Sequence, residues 1–280
     1  MKTMLEKEYV ITIQDPMLGT LVMPFNEGLQ IESGGNKIFG RVLHPAFHDL
    51  KSIGPVVLML HGHPGGDKNM DLAEWFRRNG FTVVVFSYRG VWGSHGNYCL
   101  SHNIEDTAAV AEFIRVHAED WRVDPDRLFL FGHSMGGFAA LNAMACGLKV
   151  KGAILMAPCD MGYNYLYDRT AFDDLMKSKE KGYFTLPTED YMERDAAVYG
   201  ENWYFLNLLP KLDSDIPYRF IGGMKDTTTP PEKHVLPLVK AMAQKGYNVK
   251  YTELPDGHMF PVTRARLAVE TLRCLQEMDT

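Results

Sequence analysis

The chain has 280 residues, 46% of them hydrophobic and 23% charged, a composition typical of a globular protein with room for a sizeable core. A net charge of -6 and a pI near 5.9 leave no basic footprint for nucleic acid or for an anionic membrane surface. No apolar run reaches the roughly 18 residues of a membrane-spanning helix, and the opening MKTMLEKEYVITIQD has acidic residues where a signal peptide is apolar, so we expect a cytoplasmic protein.

The first part of the chain, up to about residue 50, carries four short apolar runs separated by turn-forming residues. The runs are YVITI at 9–13, GTLVMP at 19–24, GLQIES at 28–33 and KIFGRVLHP at 37–45. Short runs that follow one another closely are typical of antiparallel strands. We expect them to add strands to one edge of a larger sheet.

From residue 55 onward, apolar strand patterns alternate with longer helical patterns. The strand patterns are PVVLMLHG at 55, FTVVVFSYRG at 81, RLFLFGHS at 127, VKGAILMAP at 150, YRFIGG at 218 and VKYTELP at 249. The helical patterns are DLAEWFRRNG at 71 and MGGFAALNAMACG at 135, which end in glycine, and NIEDTAAVAEFIRVHAE at 103, for which Asn103 is the expected N-cap. Unbroken apolar strands between helices predict the α/β class, with a doubly wound parallel sheet covered by helices on both faces.

Roughly 50 residues separate the strand that ends at Pro158 from the strand that begins at Tyr218, more than a crossover helix needs. We therefore expect an insertion at 160–210 in a core formed by 1–159 and 211–280. The insertion holds 11 aromatic residues, about twice the density of the whole chain, and its ten acidic and five basic residues give a charge of -5. Such a composition suits a helical lid that is anchored to the body and kept soluble. It equally suits the roof of a pocket for an apolar acyl group, with a negative fringe that disfavours anionic substrates.

Ser134 lies in the stretch FGHSMGG, where the strand pattern RLFLF meets the helical pattern that begins near Met135. Gly132 and Gly136 stand two positions away on either side. A G-x-S-x-G sequence at a strand-to-helix turn is the nucleophile elbow, which holds the hydroxyl at the carboxyl edge of the sheet and at the positive end of a helix. We predict that Ser134 is a catalytic nucleophile.

A serine nucleophile needs a general base and a group that orients the base. His258, in LPDGHMF, follows the last predicted strand, and Asp226, in FIGGMKDTTTP, follows the strand before it. The chain order of serine, aspartate and histidine is the order found in α/β-hydrolases. Asp160, which follows the strand ILMAP, is the alternative acid; we favour Asp226 because it lies in a short loop directly after a strand.

The glycine-rich stretch LHGHPGGD follows the first central strand and leaves backbone N–H groups free to bind an oxyanion. We assign the two donors to the N–H groups of His63 and Met135. His61 and His63 with Asp67 could suggest a metal site, but the pair lacks a third ligand motif, so we predict no metal. The four cysteines form no C-x-x-C pair and predict neither a zinc site nor a disulfide framework. They are Cys99, Cys146, Cys159 and Cys274.

With these motifs the chain resembles the α/β-hydrolase superfamily, specifically its serine hydrolases. HGHPGG at 61–66 is similar to the family's HG-x-P-G oxyanion loop, and GHSMGG at 132–137 is similar to its elbow. YRGVWGSHG at 88–96 is similar to the R-G-x-G-x-S turn, with two residues between Gly90 and Gly93. The resemblance covers roughly 50–160 and 215–275. It implies an eight-stranded, mostly parallel sheet with the insertion as a cap over the active site, but it does not specify the substrate.

The function we expect is that of a serine hydrolase cleaving a carboxylic ester of a small, neutral, partly apolar substrate through an acyl-enzyme. A peptidase or amidase would use the same three residues, and the sequence does not separate the two. A non-catalytic ligand-binding protein on the same fold would be indicated by loss of a triad member, and none is lost. We expect no metal or organic cofactor, and a small-molecule substrate rather than nucleic acid or membrane as the partner.

Overall fold

The computed structural model of the protein describes residues 22–47, 51–63, 65–66, 68–177 and 182–280. The apolar run at 9–13 and the first three residues of the run at 19–24 lie outside the described residues, so strands there stay a prediction. Within the described part, Val22 forms an isolated antiparallel bridge with Phe47.

Eight strands form one sheet in the described part of the chain. They are β1 Phe25–Ser33, β2 Asn36–His44, β3 Gly54–Leu60, β4 Thr82–Phe86, β5 Val123–His133, β6 Gly152–Met156, β7 Tyr218–Gly223 and β8 Val249–Leu254. Their order across the sheet is β1-β2-β4-β3-β5-β6-β7-β8. β1 pairs antiparallel with β2, β2 pairs antiparallel with β4, and all other neighbours are parallel. The predicted eight-stranded, mostly parallel sheet with an antiparallel edge is confirmed.

The central strands are apolar along their whole length because both faces of the sheet are covered. Every residue of β4 and of β6 is buried. In β3, Val56 and Leu58 join one hydrophobic cluster, while Val57 and Met59 join a second one on the opposite face. The second half of β1 alternates between exposed and buried residues, which is typical of an edge strand with one solvated face.

Helices cover both faces of the sheet, as predicted. The described α-helices are α1 Met70–Arg78, α2 Leu100–Val116, α3 Ala118–Trp121, α4 Met135–Ala145, α5 Met161–Tyr167, α6 Arg169–Lys177, α7 Tyr191–Tyr199, α8 Phe205–Leu208, α9 Pro231–His234, α10 Leu236–Gln244 and α11 Arg264–Met278. Buried side chains of α2 and α4 join the cluster of Val56. Those of α1 and α11 join the cluster of Val57.

The prediction that Asn103 caps α2 is wrong. The helix begins three residues earlier, at Leu100, after Cys99 in an extended conformation. Leu100 is fully buried in the hydrophobic core, and the N–H of Ser101 in the first turn donates to Oδ2 of the distant Asp195 at 2.9 Å, so packing and a carboxylate from another helix stabilise the helix start. Asn103 is also fully buried, and its Nδ2 donates to the hydroxyl of Tyr98 at 3.1 Å.

The segment 160–210 lies between β6 and β7 along the chain. It contains α5 to α8 and the short 3-10 helix Gly200–Trp203, and a second 3-10 helix, Leu209–Lys211, follows. Trp203 packs its ring perpendicular to that of Phe138 in α4, with the centroids 5.4 Å apart. The described part of the segment is therefore largely helical and is anchored to the sheet-covering helix that follows β5.

Candidate active site

Ser134 lies at the turn between β5 and α4 with a positive φ of 55° and a ψ of -116°. A non-glycine residue in this conformation is strained, and such strain clusters at functional sites. Close packing requires glycine on both sides: a Cβ at Gly132 would lie 2.6 Å from the carbonyl oxygen of Gly136, and a Cβ at Gly136 would lie 1.9 Å from that of Leu60. The G-x-S-x-G sequence therefore follows from the backbone contacts at this turn.

Hydrogen bonds fix the backbone of Ser134 against the end of β6. Its N–H donates to the carbonyl of Met156 at 2.9 Å, and its carbonyl accepts from the N–H of Cys159 at 2.9 Å. The side chain is not fixed in this way, because its hydroxyl makes no hydrogen bond with another residue in the described part of the chain. The backbone of Ser134 is thus fixed at the carboxyl edge of the sheet, while its hydroxyl is not hydrogen-bonded to the described residues.

Asp226 and His258 come from the loops after β7 and β8, and they are in direct contact. The imidazole Nδ1 of His258 lies 2.8 Å from Oδ2 of Asp226. The other carboxylate oxygen accepts from the backbone N–H groups of Thr228 and Thr229, both at 2.9 Å. The Thr229 hydroxyl lies 2.8 Å from Oδ2 and 3.1 Å from the same imidazole nitrogen. The carboxylate is thus held in one orientation with Oδ2 toward the imidazole.

The pKa of Asp226 is lowered to about 2. Burial acts to raise it, but the hydrogen bond and charge of His258 and the hydrogen bonds from Thr229 outweigh the loss of solvation. Asp226 is therefore an anion throughout the physiological pH range. A fixed anion on Nδ1 selects the tautomer in which the other ring nitrogen is free to accept a proton.

His258 lies beside the elbow. Its ring centroid is 5.1 Å from that of His133, the residue before Ser134. No hydrogen bond joins His258 to the Ser134 hydroxyl in the described part of the chain. Catalytic hydrogen bonds are often formed only when substrate is bound. The structure thus brings Asp226 and His258 into contact and places them at the sheet edge that carries Ser134.

The loop after β3 packs against the elbow. A Cβ at Gly62 would lie 3.1 Å from the Cβ of Ser134. His63 follows, and its ring centroid lies 4.7 Å from that of Phe184 in the 160–210 segment. Met135 is the first residue of α4, so its N–H belongs to the helical N-terminus, where backbone donors have no acceptor within the helix. Both proposed oxyanion donors therefore come from segments that adjoin Ser134.

A sequence model described as the Alpha/beta hydrolase family matches residues 57–271, which is most of the chain. The chain belongs to the Alpha/beta hydrolase family. Membership supports a hydrolase activity, in agreement with the resemblance that the motifs indicate. Within the described residues, no helix of this α/β-hydrolase is long and apolar enough to cross a membrane.

Solved structures with the same fold include an esterase and a peptidase. The esterase PF2001 of Pyrococcus furiosus superimposes with a TM-score of 0.67 at 18% identity, over 91% of each chain. The acylaminoacyl peptidase of Pyrococcus horikoshii gives a TM-score of 0.65 at 16% identity, over 92% of this chain and 41% of that one. At these identities the likeness shows the fold alone.

Curated sequence relatives match a shorter part of this α/β-hydrolase. The YfhR protein of Escherichia coli, whose function is uncharacterized, is 34% identical over 92 residues, 32% of this chain and 31% of that one. The lysophosphatidylserine lipase ABHD12 of Danio rerio is 33% identical over 91 residues, 31% of this chain and 22% of that one. The matched region thus spans about a third or less of the length of these relatives.

Of the three residues considered for a metal site, Asp67 lies outside the described residues. His61 is buried, with Nδ1 2.7 Å from the carbonyl oxygen of Gly62. Burial lowers the pKa of His61 to about 3, so the ring is neutral. The described ranges contain no group of three or more His, Cys, Asp or Glu side chains that could hold a metal ion, and the four cysteines are free thiols.

Asp160, the alternative acid, is engaged by the inserted segment. Its carboxylate accepts from the N–H of Tyr163 at 2.9 Å, which caps α5, and from the N–H of Phe205 at 3.1 Å, which holds the start of α8. Burial raises the pKa of Asp160 to about 7, although these backbone hydrogen bonds act to lower it. Asp226, with its lowered pKa and its direct contact with His258, is the better match for the orienting anion.

We expect the stability of Asp160→Asn relative to wild type to increase as the pH rises from 5 to 8. The folded protein keeps the Asp160 proton up to about pH 7, whereas the ordinary value for the unfolded chain is 3.8. Between these values the folded state binds more protons, so the free energy of unfolding falls with rising pH, by up to about 1.4 kcal/mol per unit. Asparagine does not titrate and lacks this loss.

Urea unfolding of wild type and Asp160→Asn at pH 5, 6.5 and 8 measures the effect. The difference between the two proteins isolates residue 160, because the buried histidines titrate in both. A stability difference that stays constant across the three pH values would contradict the expectation.

Two polar residues of the site are absent from the sequence-based set. Thr229 contacts both Asp226 and His258, and His133 contacts the ring and the backbone of His258. Thr229 lies three residues after Asp226, and a threonine near a loop aspartate is a weak local signal of such a bond. His133 occupies a variable position of the elbow motif, which carries no sequence signal for its contacts.

Proposed function

We propose that this protein is a serine hydrolase that cleaves a carboxylic ester of a small, neutral, partly apolar substrate through an acyl-enzyme intermediate. The observation that carries the proposal is the 2.8 Å contact between His258 Nδ1 and an ionised Asp226, beside a serine with a strained backbone of positive φ. Ser134 is the nucleophile, His258 the general base and Asp226 the group that orients the imidazole.

In the first half-reaction the Ser134 oxygen attacks the ester carbonyl, and His258 Nε2 takes the hydroxyl proton. The negative charge that forms on the carbonyl oxygen is stabilised by the backbone N–H groups of Met135 and His63. Collapse of the tetrahedral intermediate breaks the bond to the alcohol, which leaves with the proton from His258. Water repeats these steps on the acyl-enzyme, releases the carboxylic acid and restores the serine.

The 160–210 segment is the proposed cap over the acyl pocket. Phe184 supports this placement, because its ring lies 4.7 Å from His63 and stacks on Tyr98 at 4.5 Å. Backbone hydrogen bonds hold the same stretch: Tyr98 N–H donates to the carbonyl of Thr185, and Thr185 N–H donates to the carbonyl of Gly90, both at 2.9 Å. An aromatic side chain is thereby fixed beside a proposed oxyanion donor.

Not every aromatic residue of the cap faces a ligand. Phe172, Trp203 and Phe205 are buried in the core cluster, so they anchor the cap and account for part of its aromatic content.

A cavity of about 630 Å³ lies between the turn at 90–96 and residues 182–185, and its size suits small ligands. Its lining includes the exposed Trp92 and Tyr183, and Phe184, whose ring faces that of His63, but neither Ser134 nor His258.

The deciding experiment is a panel of p-nitrophenyl esters of rising acyl length, tested beside aminoacyl anilides and an active-site fluorophosphonate. We expect labelling, turnover of the esters and slower turnover of the anilides. Faster anilide turnover would favour a peptidase or amidase, and absence of both labelling and turnover would favour a non-catalytic binding protein.

Esters that carry a carboxylate should react more slowly than neutral esters of equal size, because the cap has a charge of -5. Added salt should reduce this difference in rate by screening the charges.

Phe184→Ala should reduce kcat/KM for long acyl chains about tenfold and for acetyl esters less than twofold. Apolar burial contributes about 25 cal/mol per Å², so loss of roughly 60 Å² of contact with an acyl chain costs about 1.5 kcal/mol. Tyr199→Ala is the matched control, since Tyr199 belongs to the same segment but contacts Trp203, with ring centroids 6.1 Å apart. Equal losses for short and long chains would make Phe184 a structural residue of the cap.

A further inference from the structure

His133 stands between Gly132 and Ser134, at the last position of β5, and the proposed reaction assigns it no role. The side chain is 2% exposed. Its ring lies against the ring of His258, with centroids 5.1 Å apart and planes at 36°. A polar side chain this deeply buried needs hydrogen-bond partners, and the identity of those partners shows what it holds.

The hydrogen bonds of His133 fix its tautomer. Nε2 lies 3.2 Å from the backbone carbonyl oxygen of His258, and a carbonyl only accepts, so Nε2 carries the hydrogen. Nδ1 lies 3.4 Å from Nδ2 of Asn69, which donates to it. The orientation of the Asn69 amide is fixed in turn, because Nη2 of Arg264 donates to its Oδ1 at 2.9 Å. These three hydrogen bonds form a series in which Arg264 donates to Asn69, Asn69 donates to His133, and His133 donates to the carbonyl of His258.

Arg264 anchors the outer end of the series. Its guanidinium makes a two-pronged ion pair with Asp71 in α1, at 2.6 Å and 2.5 Å. A further N–H lies 3.5 Å from the carbonyl oxygen of Met259. The carbonyls of His258 and Met259, two consecutive residues of the histidine loop, are therefore both bound by groups that this network positions.

Only neutral His133 completes the series, because a protonated ring would lose the acceptor that Asn69 needs. Burial lowers the pKa of His133 to about 3, in line with the geometry, and the neighbouring His258 and Arg264 act in the same direction. The ring stays neutral while His258 gains and loses a proton beside it. His133 is thus a fixed dipole rather than a second base.

We propose that His133 is a positioning residue for the reaction proposed above, on which this inference rests. It holds the backbone of His258, so that the imidazole keeps its place between Asp226 and the serine hydroxyl. The imidazole is fixed at one edge by Asp226 and Thr229, and His133 fixes the chain from which it projects. A general base displaced by about 1 Å loses on the order of 10²-fold in rate. Loss of the hydrogen bond from His133 should therefore lower kcat.

Three substitutions at this position separate its contacts. His133→Gln keeps an amide donor at the reach of Nε2, His133→Asn keeps a group only at the reach of Nδ1, and His133→Phe keeps the ring volume without either hydrogen bond. We expect kcat for a p-nitrophenyl ester to fall about 10- to 100-fold in His133→Phe and His133→Asn, with KM within about twofold. His133→Gln should recover most of the loss.

The second readout is the proton NMR signal of the His258 Nδ1–H that faces Asp226, recorded without substrate. It should shift or broaden in His133→Phe and return in His133→Gln. Asn142→Leu, which removes a buried side chain whose amide donates to Phe138 within α4, controls for lost stability and should leave the signal unchanged.

The NMR signal tests the positioning role even if wild type proves to hydrolyse no ester, so failure of the proposed function and failure of this inference are distinguishable. Wild-type kcat and an unchanged signal in folded His133→Phe would overturn the inference. Equal losses in His133→Gln and His133→Phe with the signal intact would overturn it as well, because they would show a packing role alone.

Discussion

Replacing Ser134 with alanine should lower ester turnover by on the order of 10⁵- to 10⁶-fold and abolish fluorophosphonate labelling, while the fold is retained. The substitution removes only the oxygen that attacks the carbonyl. Alanine has the same Cβ and bears the same strain at φ 55°, and the backbone bonds to Met156 and Cys159 do not involve the side chain. Turnover, labelling and the thermal unfolding midpoint of the variant are the measurements.

Ser94 provides the matched control. It is also buried, but its hydroxyl donates to the carbonyl of Ser87 at 2.8 Å and accepts from the N–H of Phe39 at 3.0 Å. Ser94→Ala should therefore lower stability by about 1 to 3 kcal/mol, through unsatisfied buried partners, and still label. Undiminished labelling of Ser134→Ala would reject Ser134 as the nucleophile.

The sheet could be predicted from the sequence because its central strands carry an unambiguous signal. Strands buried on both faces must be apolar throughout, as in TVVVF of β4 and GAILM of β6. The antiparallel pairing of β1 and β2 at the edge was also predictable, since only two residues, Gly34 and Gly35, join these strands, and both have positive φ.

The helices of the inserted segment could not be placed from the sequence. They are short, from four to nine residues, and isolated helices of this length are not stable by propensity. The carboxylate of Asp160 holds the N–H of Phe205, 45 positions away, and no local pattern encodes such a contact. The same limit explains the error at Asn103, because the helix start depends on burial of Leu100 and on the hydrogen bond from Ser101 N–H to Asp195, 94 positions away.

The candidate site was predictable where a motif or a strand end marks the residue. Ser134 has the glycine pattern, and His258 and Asp226 follow consecutive strands whose carboxyl ends meet at one edge. The support around them was not predictable. His133 reaches Asn69 and the backbone of His258 over 64 and 125 positions of sequence, so its role emerges only when the chain is folded.

Asp226→Asn should reduce kcat/KM by on the order of 10⁴-fold. Oδ1 accepts from the N–H groups of Thr228 and Thr229, so the amide oxygen of asparagine takes that position and the NH₂ group faces His258. An N–H donor at 2.8 Å from Nδ1 requires Nδ1 to be the acceptor, which moves the imidazole hydrogen to Nε2. A protonated Nε2 cannot take the proton of the Ser134 hydroxyl, so the loss appears in kcat while the fold is kept.

Asp160→Asn is the matched control, because it makes the same chemical change at another buried aspartate of this sheet edge. An amide oxygen at residue 160 still accepts from the N–H of Tyr163, as asparagine does at many helix N-caps, whereas the Phe205 N–H in the inserted segment loses its acceptor. His258 forms no hydrogen bond or ion pair with Asp160 in the described residues. We expect kcat/KM within about twofold of wild type and an unchanged rate of fluorophosphonate labelling. The comparison is made on both variants with one ester, alongside far-ultraviolet circular dichroism. Loss of activity in Asp160→Asn with activity retained in Asp226→Asn would transfer the orienting role to Asp160, since only the true acid sets the tautomer of His258.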